Sequence, residues 1–259
     1  MSDTKFAVIT GASTGIGYEL ARFAVEDGYD LLICADEPEI EEAADKLRRL
    51  GGTVQTVQLD LATREGTDTF WAAVGDKPID IFCANAGRAL GTAFHEQDWT
   101  AIQRLIMLNV VQTTTLVHRV GLRMQARGQG RILVTGSIGG FVAGPYDAVY
   151  NSTKAYLDSL CYAVQDEWRD SAVTLTCLMP GPTDTPIFHR PENLLADSPI
   201  AKSDSKNNVT DVARAGYDAM MAGARGVVPG FTNKLIAMLS GVVPQSILAQ
   251  LHRLGAKPE

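Results

Sequence analysis

Directly behind the first apolar run of the chain, Phe6-Ala7-Val8-Ile9-Thr10, stands Gly11-Ala12-Ser13-Thr14-Gly15-Ile16-Gly17, which leads into an amphipathic stretch ending at Gly28. A buried strand, a glycine-rich turn and a helix in that order leave few folds open. Gly11 permits a tight turn, Gly15 lets backbone come close to a pyrophosphate, and Gly17 allows helix and strand to pack closely. The free N–H groups at the helix start then attract phosphate charge. The spacing is Gly-x3-Gly-x-Gly rather than Gly-x-Gly-x2-Gly, so the position after strand one carries the argument more than the string does.

The same alternation continues along the chain. Strands are expected at Leu31 to Cys34, Thr53 to Leu59, Ile79 to Ala84, Arg131 to Thr135 and Ala172 to Leu178. Helices are expected at Ile40 to Leu50, Thr63 to Val74, Asp98 to Arg127 and Ala148 to Arg169. Strands that are apolar throughout, separated by helices, imply a parallel sheet covered on both faces. Right-handed crossovers make that sheet doubly wound. With no linker or repeat in 259 residues, one domain is expected over 1–259. Residues 1–184 would bind cofactor and carry the chemistry, 185–210 would form a substrate loop, and 211–259 C-terminal helices and a tail. Pro186, Pro191 and Pro199 mark the loop, and Gly226 to Pro229 reads as a short strand.

Composition narrows the chemistry. A net charge of −7 disfavours nucleic acid, whose binding depends on Lys and Arg against phosphate. No apolar run reaches the roughly 18–20 residues of a bilayer span, and the N-terminal residues lack a signal-peptide layout. Cys34, Cys83, Cys161 and Cys177 are widely spaced, so neither a metal site nor a disulfide framework is expected, and a cytoplasmic setting is. With only four histidines, proton transfer must use other groups. Asp36, nineteen residues beyond Gly17, can accept hydrogen bonds from adenosine ribose hydroxyls at the second strand's end. A 2′-phosphate would meet Asp36 and Glu37 with no Arg or Lys nearby to balance it, so NAD is expected over NADP. Tyr150 and Lys154 lie at i and i+4 on one helix face, and a nearby ammonium favours the phenolate. Ser137 closes the fifth strand, thirteen residues before Tyr150, facing the same edge.

Thr10 to Gly17, Asp60-Leu61, Asn85-Ala86-Gly87, Asn109, Ser137, Tyr150-x3-Lys154 and Pro180-Gly181 with Thr185 occur in the order and spacing of the short-chain dehydrogenase/reductase family. The chain resembles its compact branch over residues 5 to about 185. The resemblance implies a Rossmann-type, seven-stranded doubly wound sheet and hydride transfer between a nicotinamide cofactor and an alcohol or carbonyl. It implies Tyr150 as the proton-exchanging group, Ser137 as the holder of the substrate oxygen, and Lys154 on the nicotinamide ribose. Asn109 would hold a relay water, and Asp60 and Leu61 would meet adenine. Asn85, Ala86 and Gly87 would lie on the adenosine side, and Pro180, Gly181, Thr183 and Thr185 by the carboxamide. Ala84, Gly136 and Thr183 depart from the usual Asn, Ser and Val or Ile. A catalytically silent dinucleotide sensor, or a lyase or epimerase on the same scaffold, stays open.

Ile138, Tyr146 and Phe188 are expected to contact substrate, with Phe141, Pro182 and Ile187 beside them and Arg88 and Leu90 near the mouth. These point to a hydrophobic ketone or secondary alcohol. The four histidines are expected to be packed or at the surface. From Gly226 to His252 only Lys234 is charged, and Val228-Pro229-Gly230-Phe231-x2-Lys234-Leu235 with Val243-Pro244 resembles a generically described bacterial subgroup of the family. This apolar tail is expected to fold onto the cleft or onto a neighbouring subunit of a homodimer or homotetramer.

Overall fold

The computed structural model describes residues 5–189, 198–203 and 206–257. Period-two sorting in the first strand sets the architecture. In β1 (Phe6–Thr10), Phe6 and Val8 enter one buried cluster while Ala7 and Ile9 enter another on the opposite face. A strand that is apolar on both faces needs cover on both. The remaining strands are β2 (Asp30–Ala35), β3 (Val54–Gln58), β4 (Ile81–Ala84), β5 (Gly130–Thr135), β6 (Val173–Leu178) and β7 (Gly226–Val227). They form one parallel seven-stranded sheet in the order β3-β2-β1-β4-β5-β6-β7. This is a Rossmann-type α/β fold.

One face is covered by α1 (Gly15–Glu26), α2 (Glu39–Arg49) and α8 (Val209–Met221), through residues such as Leu20, Ile40 and Tyr217. The other is covered by α3 (Arg64–Val74), α5 (Thr113–Arg127) and α6 (Ala148–Glu167), through Phe70, Val117 and Leu157. The strand order reverses between β1 and β4, so the carboxyl ends of these two strands open onto a crevice. The long helix expected from Asp98 to Arg127 is interrupted. It consists of α4 (Trp99–Ile106), a π-helical segment Met107–Gln112, and α5. Such segments inside helices recur at functional sites, and Asn109 lies within this one. β3 is an edge strand with partly exposed positions, not an apolar run.

The chain beyond β7 forms α9 (Phe231–Ser240) and α10 (Gln245–Ala256), and α7 (Pro199–Lys202) precedes α8. No helix among the described residues is long and apolar enough to cross a membrane.

Candidate active site

The glycine turn is held from both sides. Gly11 and Ala12 donate their N–H groups to Cys34 O at 2.8 and 3.2 Å, tying the turn to β2. Thr10 Oγ1 accepts from the N–H groups of Asn85 and Ala86, each at 3.0 Å. Asn85 donates to Gly11 O at 3.1 Å and accepts from Thr135 Oγ1 at 3.0 Å, bridging three strand ends. Gly11 and Gly15 take φ values of +66° and +61°, a region that favours glycine. At Gly17 a Cβ would stand 2.1 Å from Gly11 O, so only hydrogen fits. The N-cap Thr14 makes no side-chain cap bond and the first turn of α1 has no acid. Its N–H groups therefore point, uncapped by side chains, at the cleft.

That turn forms one end of a cleft of about 590 Å³, within the range of small-molecule sites. Ser13, Thr14, Ile16, Asp36, Asp60, Leu61, Asn85, Ala86 and Gly87 border it on the β1–β3 side. Ser137, Ile138, Tyr150, Lys154, Pro180, Gly181, Thr183 and Thr185 border it on the other. Thr185 closes over Gly15, where a Cβ would come within 3.3 Å of its methyl. A dinucleotide with its pyrophosphate at the α1 N-terminus fits this layout: glycines where backbone must approach, and polar side chains at both ends.

Asp36 has a cation after all. Arg88 Nη2 pairs with its Oδ2, so the expectation of no nearby Arg or Lys fails. The sequence places them 52 residues apart, and β1–β4 adjacency brings them together. Arg88 thus stands beside Asp36 at the end of β2 and not by the substrate mouth as expected. Ser13 Oγ donates to Glu37 at 2.8 Å. Asp60 accepts from Ala62 N–H at 2.8 Å and from Arg104 at 2.7 Å.

At the opposite end, α6 presents a half-buried Tyr150 and, one turn on, a buried Lys154. Lys154 Nζ donates to Thr135 O at 2.8 Å and lies 5.6 Å from the Tyr150 ring centre. Burial brings the Lys154 ammonium down to about 8, with Asp158 opposing the fall. The lysine was expected to lower the Tyr150 pKa; instead burial, then the charge of Asp147, hold it above its ordinary value, and a hydrogen bond with Ser137 pulls the other way. Ser137 Oγ also accepts from Gly139 N–H at 3.0 Å, which fixes its rotamer. The Asn109 side chain donates to Arg88 O and Thr153 Oγ1 and accepts from Arg88 N–H, each at 3.0 Å. All its side-chain donors are thereby engaged in bracing the β4 exit against α6.

Ile138 borders the cleft as expected; Tyr146 is not among the described residues lining it, and its neighbour Asp147 is. The Phe188 side chain lies outside those described. Thr183 donates its hydroxyl to Gly181 O at 2.8 Å, so its departure from Val or Ile is absorbed locally. The tail closes the cleft through Ile236, Leu239, Val243, Leu248, Leu251 and His252.

Three groups escaped the sequence reading. Asp147, three residues before Tyr150, is buried with its carboxyl raised to about 8 by desolvation. Asp158, one turn beyond Lys154, accepts from Cys177 Sγ at 3.3 Å and is raised to about 6. A Cβ at Gly136 would stand 1.9 Å from its Oδ1, so a serine at this position would collide with the Asp158 carboxylate. His252 lies in the cleft wall, where burial lowers its pKa. Only the i, i+4 spacing of Asp158 from Lys154 was visible beforehand.

A family profile described as short chain dehydrogenase matches residues 5–193. The chain is 30% identical over 250 residues to the 3-dehydrosphinganine reductase TSC10B of Arabidopsis thaliana, covering 93% of this chain and 75% of that protein. It is 28% identical over 241 residues to human 17-beta-hydroxysteroid dehydrogenase type 1, covering 83% of this chain and 74% of that one. Among solved structures, a short-chain dehydrogenase from Sphingobium yanoikuyae in complex with NADPH superposes with a TM-score of 0.81 at 26% identity, over 93% of this chain and 97% of that one. A family member from Burkholderia phymatum in complex with NAD shares the fold at a TM-score of 0.82 and 23% identity, over 99% and 98% of the two chains.

Proposed function

The chain belongs to the short-chain dehydrogenase/reductase family, and on that premise we propose that it is a nicotinamide-dependent oxidoreductase working on an alcohol/carbonyl pair, with Tyr150 as proton donor and acceptor. The observation that carries this reading is the convergence of Ser137, Tyr150 and Lys154 at one end of the cleft whose other end is the uncapped α1 N-terminus. When bound, the nicotinamide ring supplies or accepts the hydride. Tyr150, kept protonated by burial, is a ready acid for a carbonyl oxygen, which favours the reductive direction. Ser137, its rotamer fixed by Gly139 N–H, holds that oxygen beside Tyr150. Lys154 would hold the nicotinamide ribose and return a proton toward Tyr150, with Asp158 sustaining its charge. Asn109 positions Lys154's surroundings, and a water relay would use its backbone carbonyl because its side chain is engaged.

NAD(H) is the preferred cofactor in this reading, because Asp36 borders the cleft where the adenosine ribose would lie and Arg88 orients its carboxylate. The pairing weakens discrimination against a 2′-phosphate relative to a lone carboxylate. Residues 185–210 and the tail would complete the substrate pocket within one domain. The apolar lining supports a hydrophobic ketone or secondary alcohol, and a homodimer or homotetramer in the cytoplasm is the assembly and setting we infer. The test is a panel of ketones and alcohols followed by NADH and NADPH absorbance. Tyr150→Phe is expected to lose about 10²–10⁴-fold in kcat; near-normal turnover by that variant would overturn the assignment.

A further inference from the structure

Each helix of the tail carries two apolar stripes. In α9, Ile236 and Leu239 line the cleft, joined by Val243 just beyond the helix. Phe231, Leu235 and Met238, spaced as successive turns of one stripe, are 84, 47 and 75% exposed, and Val242 behind them is 79% exposed. In α10, Leu248 and His252 line the cleft, while Ile247, Leu251 and Leu254 form a second, exposed stripe. A helix that is apolar on more than one side is ordinarily buried, and here much of that surface is bare. A contiguous apolar patch of this kind marks contact with another protein or with a membrane. Ile236, Leu239 and Leu251 belong to both sets. They line the cleft and are each more than a third exposed, so they form its rim.

The charges around the patch are of one sign. From Ala219 to Lys257 the chain holds Arg225, Lys234, Arg253 and Lys257 and no acid, in a protein of net charge −7. All four are exposed, and none has an ion-pair partner among the described residues. By contrast Arg104, Arg119 and Arg127 each meet an aspartate. Lys234 stands three residues after Phe231 and four before Met238, so it shares their stripe. Arg253 and Lys257 flank Leu254. A second copy joined by a two-fold axis would set this patch against itself. Cations would then oppose cations, which disfavours the contact, and the cleft rim would be covered.

We propose that α9 and α10 dock the protein on an anionic phospholipid surface, with the rim of the cleft against the lipid. The exposed apolar side chains enter the interface, and Lys234, Arg253 and Lys257 reach the phosphate groups beside them. The net negative charge of the chain does not prevent this, because charges farther than about 10 Å from the surface are largely screened. A substrate dissolved in the bilayer then enters the cleft without crossing water, which makes an elongated apolar ketone or alcohol the substrate class. That consequence rests on the oxidoreductase reading above; the docking does not.

The test is co-sedimentation of the full chain with two kinds of vesicle, phosphatidylcholine alone and phosphatidylcholine mixed equally with phosphatidylglycerol. Partitioning onto the mixed vesicles is expected to be at least about tenfold stronger and to weaken as salt is raised. Lys234→Gln, Arg253→Gln and Lys257→Gln together should remove most of that difference. Phe231→Ser with Met238→Ser should lower partitioning onto the mixed vesicles at least about tenfold. Both side chains are exposed and lie outside the cleft lining, so this variant should fold, which circular dichroism checks. Equal partitioning onto the two vesicles, or binding that survives the Phe231 and Met238 substitutions, overturns the proposal. No vesicle binding also overturns it, and sedimentation velocity then shows whether the same substitutions dissociate an oligomer, which would assign the face to a second copy. Turnover of 2-tridecanone carried in the vesicles is followed separately by NADH absorbance. Docking without turnover would support the surface while counting against the hydride-transfer reading.

Discussion

Replacing Asp147 with asparagine is expected to change how stability depends on pH, by an amount the structure sets. Burial raises the Asp147 carboxyl from 3.8 to about 8, so across that interval the folded protein holds a proton that the unfolded chain has released. A group raised in the folded state contributes all its stability below the unfolded pKa and loses it as pH climbs through the folded one. The slope is about 1.4 kcal/mol per pH unit over most of the interval and halves at the folded pKa. Asp158, raised to about 6, adds the same sign only at lower pH. Lys154, lowered to about 8, acts in the opposite sense above that value, and lowered His252 acts below its ordinary 6.5. From about pH 6.5 to about pH 8 Asp147 therefore dominates, and subtracting the Asp147→Asn variant removes what the two proteins share. Integration over that window gives a relative loss for wild type of about 1–2 kcal/mol. For 259 residues at roughly 2.1 cal/mol/K each, this is about 3 °C in Tm. Urea unfolding of both proteins without cofactor, at half-unit pH steps, measures it. Parallel curves would show that the carboxyl is not held protonated by burial; a wild-type advantage growing with pH would mean a cation partners it.

Three further outcomes follow from the geometry. Gly17→Ala puts a methyl against Gly11 O and Asn85, so cofactor affinity, read by fluorescence titration, should fall at least tenfold and stability by about 1–3 kcal/mol. Arg88→Leu removes the cation beside Asp36, and the NAD(H) to NADP(H) ratio of kcat/KM should move toward NAD(H) by about tenfold after screening; an unchanged ratio would refute that role. Gln245→Leu cuts both bonds from α10 to the 141–143 loop, and KM for a bulky ketone should rise severalfold with cofactor affinity unchanged.

What could be read in the sequence was what local spacing dictates. The glycine turn behind an apolar strand implied the α1 N-terminus as an anion site, and Tyr150 and Lys154 had to share a helix face because four residues make about one turn. Strands apolar on both sides demanded a two-faced sheet, and all seven expected strands are present with small shifts at their ends. The π-helical segment around Asn109 was not visible, because its sequence has the same periodic pattern as the helices it joins.

Tertiary structure decided the charges. Arg88 meets Asp36 because β1 lies between β2 and β4, and nothing near Asp36 in the chain hints at that cation. The depth at which Tyr150, Lys154 and Asp158 are buried reverses the expected effect on Tyr150, since desolvation acts through every element packed around a group and no single segment encodes it. Asp147 and His252 lie more than a hundred residues apart. Both come to line one cleft because α10 folds back over the loop before α6, and so their placement depends on where the apolar tail finds cover. Sequence by itself determined the sheet, the glycine turn and the shared helix face of Tyr150 and Lys154, because each is held by neighbours within a few residues. The polarity of the substrate cleft was left to the packing of distant elements, where burial and long-range pairing set every charge.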